Sequence, residues 1–180
     1  MTHHCSIPMY ISLQAEIKKY QTYSVNVDPN QDDKATEIKL LNFKRPHMRA
    51  FHCSWFCFFI AFFIWFAIAP LLPEVKETLG LTKQQIWTSN ICSVAGTIFL
   101  RFVNGPLCDK YGARIPMGII LAFASIPCAL TGLVNSSVSL SILRFFIGFG
   151  GSTFVMCQFW TSRMFTKEVV GTANALVGGW

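Results

Sequence analysis

Phe51-His-Cys-Ser-Trp-Phe-Cys-Phe-Phe-Ile-Ala-Phe-Phe-Ile-Trp-Phe-Ala-Ile-Ala-Pro70 decides how this chain is read. No charged residue lies between Arg49 and Glu74. A helix that crosses a bilayer needs about 20 mainly apolar residues, within a range of roughly 17–25, and this window meets that requirement unaided. Working outward, the pattern returns. No charge lies between Lys83 and Arg101, between Arg114 and Arg144, or between Arg144 and Arg163, and the chain is uncharged from Val169 through Trp180. Windows of this length exceed the strands of a membrane barrel, about 9–11 residues, so the reading is helical. Backbone polar groups in lipid must be satisfied within the segment, which a helix achieves.

Composition agrees. Only 13% of the 180 residues are charged and 52% are hydrophobic, whereas soluble domains carry about 25% charged residues. Phe dominates the aromatics, 17 against 5 Trp and 4 Tyr. It has no polar handle to satisfy and so suits lipid-facing and helix-packing surfaces. The spacing predicts an all-α membrane protein with spans over about 50–72, 85–107, 115–134 and 142–164, and a fifth helix opening over 169–180. Pro70 and Pro73 are expected to close the first span.

Residues 1–49 differ in kind. Gln14, Glu16, Lys18, Lys19 and Gln21 interrupt the region where a secretory signal would place its apolar core. Asp28-Pro-Asn-Gln-Asp-Asp-Lys34 is polar and turn-rich. A mobile tail over 1–49 is expected, with the partial bundle occupying 50–180. Lys and Arg set its side. Lys44, Arg45, Arg49, Lys110, Arg114, Arg163 and Lys167 fall at one end of the bundle and only Lys76 and Lys83 at the other. This predicts a cytoplasmic N-terminus. The Asn135-Ser-Ser137 sequon falls on the opposite side, in a turn too close to the membrane to expect glycosylation.

The seven cysteines are spread through the chain with no CxxC pair. Cys53 and Cys57 share a helix face and read as small packing residues. His3, His4 and Cys5 lack the fixed geometry of a specific site. No metal, cofactor or nucleic-acid partner is expected. No His, Asp or Cys cluster at catalytic spacing suggests an enzyme. Gly96, Gly105, Gly118, Gly132, Gly148, Gly150 and Gly151 mark positions where helices could approach closely, the dominant packing device in lipid.

Arg101 carries the sharpest chemical signal. An Arg at the centre of a span costs roughly 2.5–3.5 kcal/mol on insertion scales and usually faces a cavity or a partner. It could instead snorkel to the interface from two turns inside the helix end. Thr97, four residues earlier, lies on the same face and could add a hydroxyl donor. A guanidinium fork matches a planar oxyanion bidentately, which a Lys point charge cannot.

Two further constellations follow. Gly105, Asp109, Gly112 and Arg114 stand at the spacing Gly-x-x-x-Asp-x-x-Gly-x-Arg. This resembles the signature loop between the second and third helices of the major facilitator superfamily. Such a loop suits a gate latch: glycines permit a tight turn, and Asp109 could cap a neighbouring helix or pair with a base there. Arg144, Gly148 and Gly150 resemble the superfamily's Arg-x-x-x-Gly-x-Gly pattern in the fourth helix, although Arg144 could also serve as an interfacial anchor.

A narrower resemblance rests on Phe51–Pro70, on Phe154-Val-Met-Cys-Gln-Phe-Trp160 with Met164-Phe165, and on Gly171-Thr-Ala-Asn-Ala175 with Gly178-Gly-Trp180. These stretches resemble the first, fourth and fifth helices of the nitrate/nitrite porters, the high-affinity nitrate transporters. The resemblance implies an N-terminal piece of a two-bundle transporter with its site at the midplane. It implies that Arg101 binds nitrate or nitrite, that Gly178, Gly179 and Trp180 line the path, and that aromatic residues among Phe62, Phe63 and Phe66 help enclose the anion. It further implies proton-coupled symport by alternating access, serving nitrate assimilation at the plasma membrane; an accessory subunit is left unidentified. Two alternatives stay open: a superfamily carrier of another small solute, and a short non-transporting sensor or partner subunit. The absence of carboxylates inside the first four spans disfavours a sugar or drug cation as cargo.

Overall fold

A computed structural model describes residues 23–179. A short antiparallel hairpin, β1 (Val27–Asp28) and β2 (Lys34–Ala35), precedes the helices. These are α1 (His47–Phe66), α2 (Leu72–Thr78), α3 (Lys83–Tyr111), α4 (Arg114–Leu130), α5 (Ser137–Ile147), α6 (Thr153–Met164) and α7 (Val170–Gly178). Four stretches are long and apolar enough to cross a membrane: His47–Thr78, Lys83–Tyr111, Arg114–Leu133 and Ser137–Met164.

The four spans match the apolar windows, with shifted ends. Pro70 and Pro73 do not close the first span. Each falls in the opening turn of a helical segment, Pro70 in a 3₁₀ turn at Ala69–Leu71 and Pro73 in α2, where a missing N–H leaves no bond unmade. The second span starts at a capping box, in which the Thr82 hydroxyl accepts from Gln85 N–H and the Gln85 side chain accepts from Thr82 N–H. It then runs to Tyr111, one turn past the expected end, and takes Asp109 out of the loop and into the helix, where Gly105 already lay. The fourth span is not continuous α-helix. Gly148–Ser152 winds as 3₁₀ between α5 and α6.

The reading of 1–49 as a tail needs correction within the described residues. From Tyr23 onward the chain folds against one end of the bundle. Ala35 is fully buried, and its carbonyl accepts from Thr166 N–H at 3.0 Å, tying β2 to the turn between α6 and α7. The Lys34 ammonium donates to the Ser162 carbonyl, and Lys167 N–H donates to Gln31 Oε1. His47 Nε2 lies 2.8 Å from the Asp33 carbonyl. Beneath the hairpin, Phe51 and Phe165 meet edge to face at 5.8 Å, alongside buried Val25 and Met48. Asn26 N–H and Lys39 both bind the Glu37 carboxylate and hold its pKa below the usual value, the Lys39 contact contributing most. Residues 1–22, with His3, His4 and Cys5, lie outside the described residues.

The tightest crossing joins α3 to the fourth span. A Cβ on Gly96 would overlap the Phe145 carbonyl oxygen, and one on Gly148 would overlap the Ser93 carbonyl oxygen. Gly150 and Gly151 also sit in contact, Gly151 against the Trp65 ring and the Thr97 hydroxyl. At Gly105, Gly118 and Gly132 a Cβ would meet nothing within 4 Å, so these glycines do not serve close packing among the described residues.

Replacing Gly96 by Ala forces the two backbones apart and is expected to cost about 1–3 kcal/mol, the usual range for overpacking. Gly118→Ala, on an open face, should leave stability unchanged or slightly raised. Thermal unfolding of the full-length protein in detergent compares the two. Phe165→Ala should release the hairpin, seen as loss of hydrogen-exchange protection at the Thr36 and Thr166 amides while the amides of α3 stay protected.

Candidate functional site

The polar side of α3 is built by spacing. Ser93, Gly96, Thr97 and Asn104 are all buried, and all face the fourth span. At about 100° per residue, Arg101 falls roughly 40° around the helix from Thr97, on the shoulder of this stripe. Its side chain is exposed. The structure therefore separates the two residues that sequence spacing paired. The Thr97 hydroxyl donates to the Gly148 carbonyl at 2.6 Å, with the Ser93 carbonyl also near at 3.2 Å. Its single proton serves the helix crossing, so Thr97 does not stand as a free donor beside Arg101.

Asn104, which sequence reasoning passed over, is fully buried one turn beyond Arg101. Its amide donates to the Ser152 hydroxyl at 2.9 Å, and its carbonyl oxygen has no partner among the described residues. The signal that could have found it was a polar side chain inside a span, a costly placement that calls for a partner.

An aromatic wall rises on α1. Phe58 and Phe62 lie 4.5 Å apart by ring centroids, Phe62 reaches Trp65 and Phe66 at 5.7 and 5.5 Å, and Phe58 meets Phe154 of α6 at 5.6 Å. Phe62 is the partly buried centre of this wall, whereas Phe63 is 68% exposed and absent from the ring contacts. Phe154 and Gln158 also flank Gly178, where a Cβ would meet each at 3.4 Å. Phe62 and Gly178 thus border one aromatic surface, with Gly179 following at the end of α7. Trp180 lies outside the described residues.

Arg144 is not an interfacial anchor. It is 8% exposed, faces inward from α5, and its Nη1 has no partner among the described residues. Gly148 and Gly150, its motif companions, form the 3₁₀ segment that presses on α3 and α1.

The gate-latch motif divides in two. Gly112 caps α3 at φ 73 and ψ 163, a region open in practice only to glycine, and its N–H donates to the Cys108 carbonyl. Ala113 follows, and α4 begins at Arg114. Asp109 is exposed and neither caps a helix nor pairs with a base among the described residues. It shares a cavity with Arg114 and with three further arginines.

The family model described as Major Facilitator Superfamily matches residues 54–180. The chain is 42% identical over 149 residues to High affinity nitrate transporter 2.5 of Arabidopsis thaliana, covering 83% of this chain and 30% of that protein. It is 37% identical over 168 residues to Nitrate transporter 2.1 of Chlamydomonas reinhardtii, covering 93% and 30% respectively. With the Nitrate/nitrite transporter NrtP of Nostoc punctiforme it shares 37% identity over 142 residues, covering 79% and 28%. The chain therefore spans less than a third of the length of these relatives. No solved structure matches significantly.

The two motif glycines should respond oppositely to substitution. Gly112→Ala imposes a strained backbone costing about 1–3 kcal/mol. Gly105→Ala, in open space within a helix, should instead stabilise by roughly 0.5–1 kcal/mol. Melting midpoints of the two variants, with limited proteolysis at the α3–α4 turn, check the contrast.

Proposed function

We propose that this chain, which belongs to the Major Facilitator Superfamily, forms part of a nitrate (or nitrite) transporter in which Arg101 holds the anion. The observation that carries this reading is Arg101 itself: a guanidinium in a helix long and apolar enough to cross a membrane, exposed on the shoulder of α3, in a chain 35–42% identical to nitrate transporters. Nitrate is planar, monovalent and weakly hydrated. The fork of N–H donors on Arg101 can meet two of its oxygens at once. The aromatic wall of Phe58, Phe62 and Phe154 would exclude water and strengthen that interaction. Gly178 and Gly179 would let the anion approach the backbone of α7.

In this reading the N-terminus is cytoplasmic, the protein sits in the plasma membrane, and the bundle described here rocks against a second one. An anion entering the cell moves against an inside-negative potential, which costs about 2.3 kcal/mol per charge per 100 mV. Co-transported protons would offset that cost. The role is transport rather than catalysis.

Arg101→Ala in the full-length protein should weaken nitrate uptake by roughly 10–150-fold in apparent affinity, the equivalent of one or two charge-assisted hydrogen bonds. Arg101→Lys should fall between, keeping the charge and losing the fork. Labelled nitrate influx measures both, with surface expression held equal. Normal uptake by Arg101→Ala would overturn the assignment.

A further inference from the structure

At the end of the bundle opposite Lys76 and Lys83, Arg45, Arg49, Arg114 and Arg163 line one cavity of about 610 Å³. The one carboxylate in its lining is Asp109. None of the four arginines is ion-paired among the described residues, and the Arg163 guanidinium rests 5.3 Å above the Phe159 ring. Exposed like charges repel, so four cations around one space with one anion leave a net positive site.

Backbone charge adds to this. The cavity is lined at the N-termini of two long helices, α1 and α4, each with a positive dipole end. Neither terminus has a side-chain cap, and neither has an acidic residue in its first turn. Both instead carry arginine there, Arg49 in α1 and Arg114 in α4. Such an arrangement is unfavourable by itself and becomes favourable when an external anion accepts from the guanidinium groups beside the positive helix ends.

We propose that this cavity binds a phosphate monoester. The excess of positive charge over Asp109 suits a dianion better than monovalent nitrate, and several guanidinium forks can each engage its oxygens. The deeper walls, Ala50, Phe159, Trp160 and Met164, are apolar or aromatic. The same lining at the ends of four spans admits a lipid headgroup with its chains alongside or a soluble phosphate from the water side. The cytoplasmic placement rests on the transporter reading above. Phosphate binding itself does not.

Full-length protein in neutral detergent is titrated with short-chain phosphatidic acid, short-chain phosphatidylcholine and inorganic phosphate, with binding read by native mass spectrometry. Phosphatidic acid is expected to bind at least roughly tenfold more tightly than phosphatidylcholine, whose phosphate is a diester with one negative charge and a cation attached. If inorganic phosphate binds alone and competes with it, the natural source is soluble; if it does neither, the source is lipid. The double variant Arg49→Gln/Arg163→Gln should weaken binding by about tenfold or more with an unchanged melting midpoint. Arg49→Lys/Arg163→Lys keeps the charge should the first variant fold poorly, and it should bind more weakly than the parent because the forks are lost. Equal binding of the two lipids with no phosphate binding, or undiminished binding by the glutamine variant, overturns the proposal. Nitrate influx measured on the same variants stays a separate readout, so failure here leaves the role of Arg101 standing.

Discussion

Two backbone-to-backbone contacts, Gly96 against the Phe145 carbonyl and Gly148 against the Ser93 carbonyl, hold the second and fourth spans closer than any residue with a Cβ would allow. In lipid, apolar side chains gain little by leaving one apolar surface for another, so association depends on dispersion at close range and on interhelical hydrogen bonds. The crossing supplies both. Its closeness lets the Thr97 hydroxyl reach the Gly148 carbonyl and lets the Asn104 amide reach the Ser152 hydroxyl, one on each side of Arg101 in sequence.

That contact also accounts for the break in the fourth span. Gly148, Gly150, Gly151 and Ser152 are all buried, pressed between α3 and α1. A 3₁₀ segment is narrower than an α-helix and fits a crowded crossing, though its hydrogen bonds are poorer and long runs are uncommon. Ser152 and Thr153 reinforce it through bonds to the Phe149 and Gly150 carbonyls. Arg144, one turn before this segment, is buried by the same approach of helices. Arg101 lies on the shoulder and keeps its guanidinium free. Two arginines within apolar spans thus reach opposite environments through their angle to one contact.

The spans were legible because their signal is local: charge-free runs of bilayer length need no tertiary information. The close glycines were legible only as a set. Nothing in the sequence separates Gly96 and Gly148 from Gly105 and Gly118, because the distinction lies in what stands opposite. The folded segment over 23–49 was illegible for the same reason. Asp28–Lys34 is polar and turn-rich whether or not it is docked, and its partners, Ser162, Phe165, Thr166 and Lys167, lie far along the chain. Thr97 was misread by treating a shared helix face as a shared environment, when about 40° of rotation separates burial from exposure. Asn104 carried a signal that Arg101 overshadowed.

The arginine distribution follows from one electrostatic rule applied at two depths. Within a span a charge is expensive; Arg101 is exposed on the shoulder of α3, whereas Arg144 is enclosed and its Nη1 has no partner among the described residues. At the bundle end a charge is cheap in isolation, and the cost comes from its neighbours. Arg49 and Arg114 stand in the first turns of their helices, where the macrodipole would favour Asp or Glu. The docked hairpin brings its own contacts to this end, where Glu37 is held by Lys39 and Asn26. Asp109 is the one carboxylate lining the cavity. Positive charge is therefore concentrated in a cavity lined by four arginines and one carboxylate, at helix termini whose dipoles add to it rather than offset it.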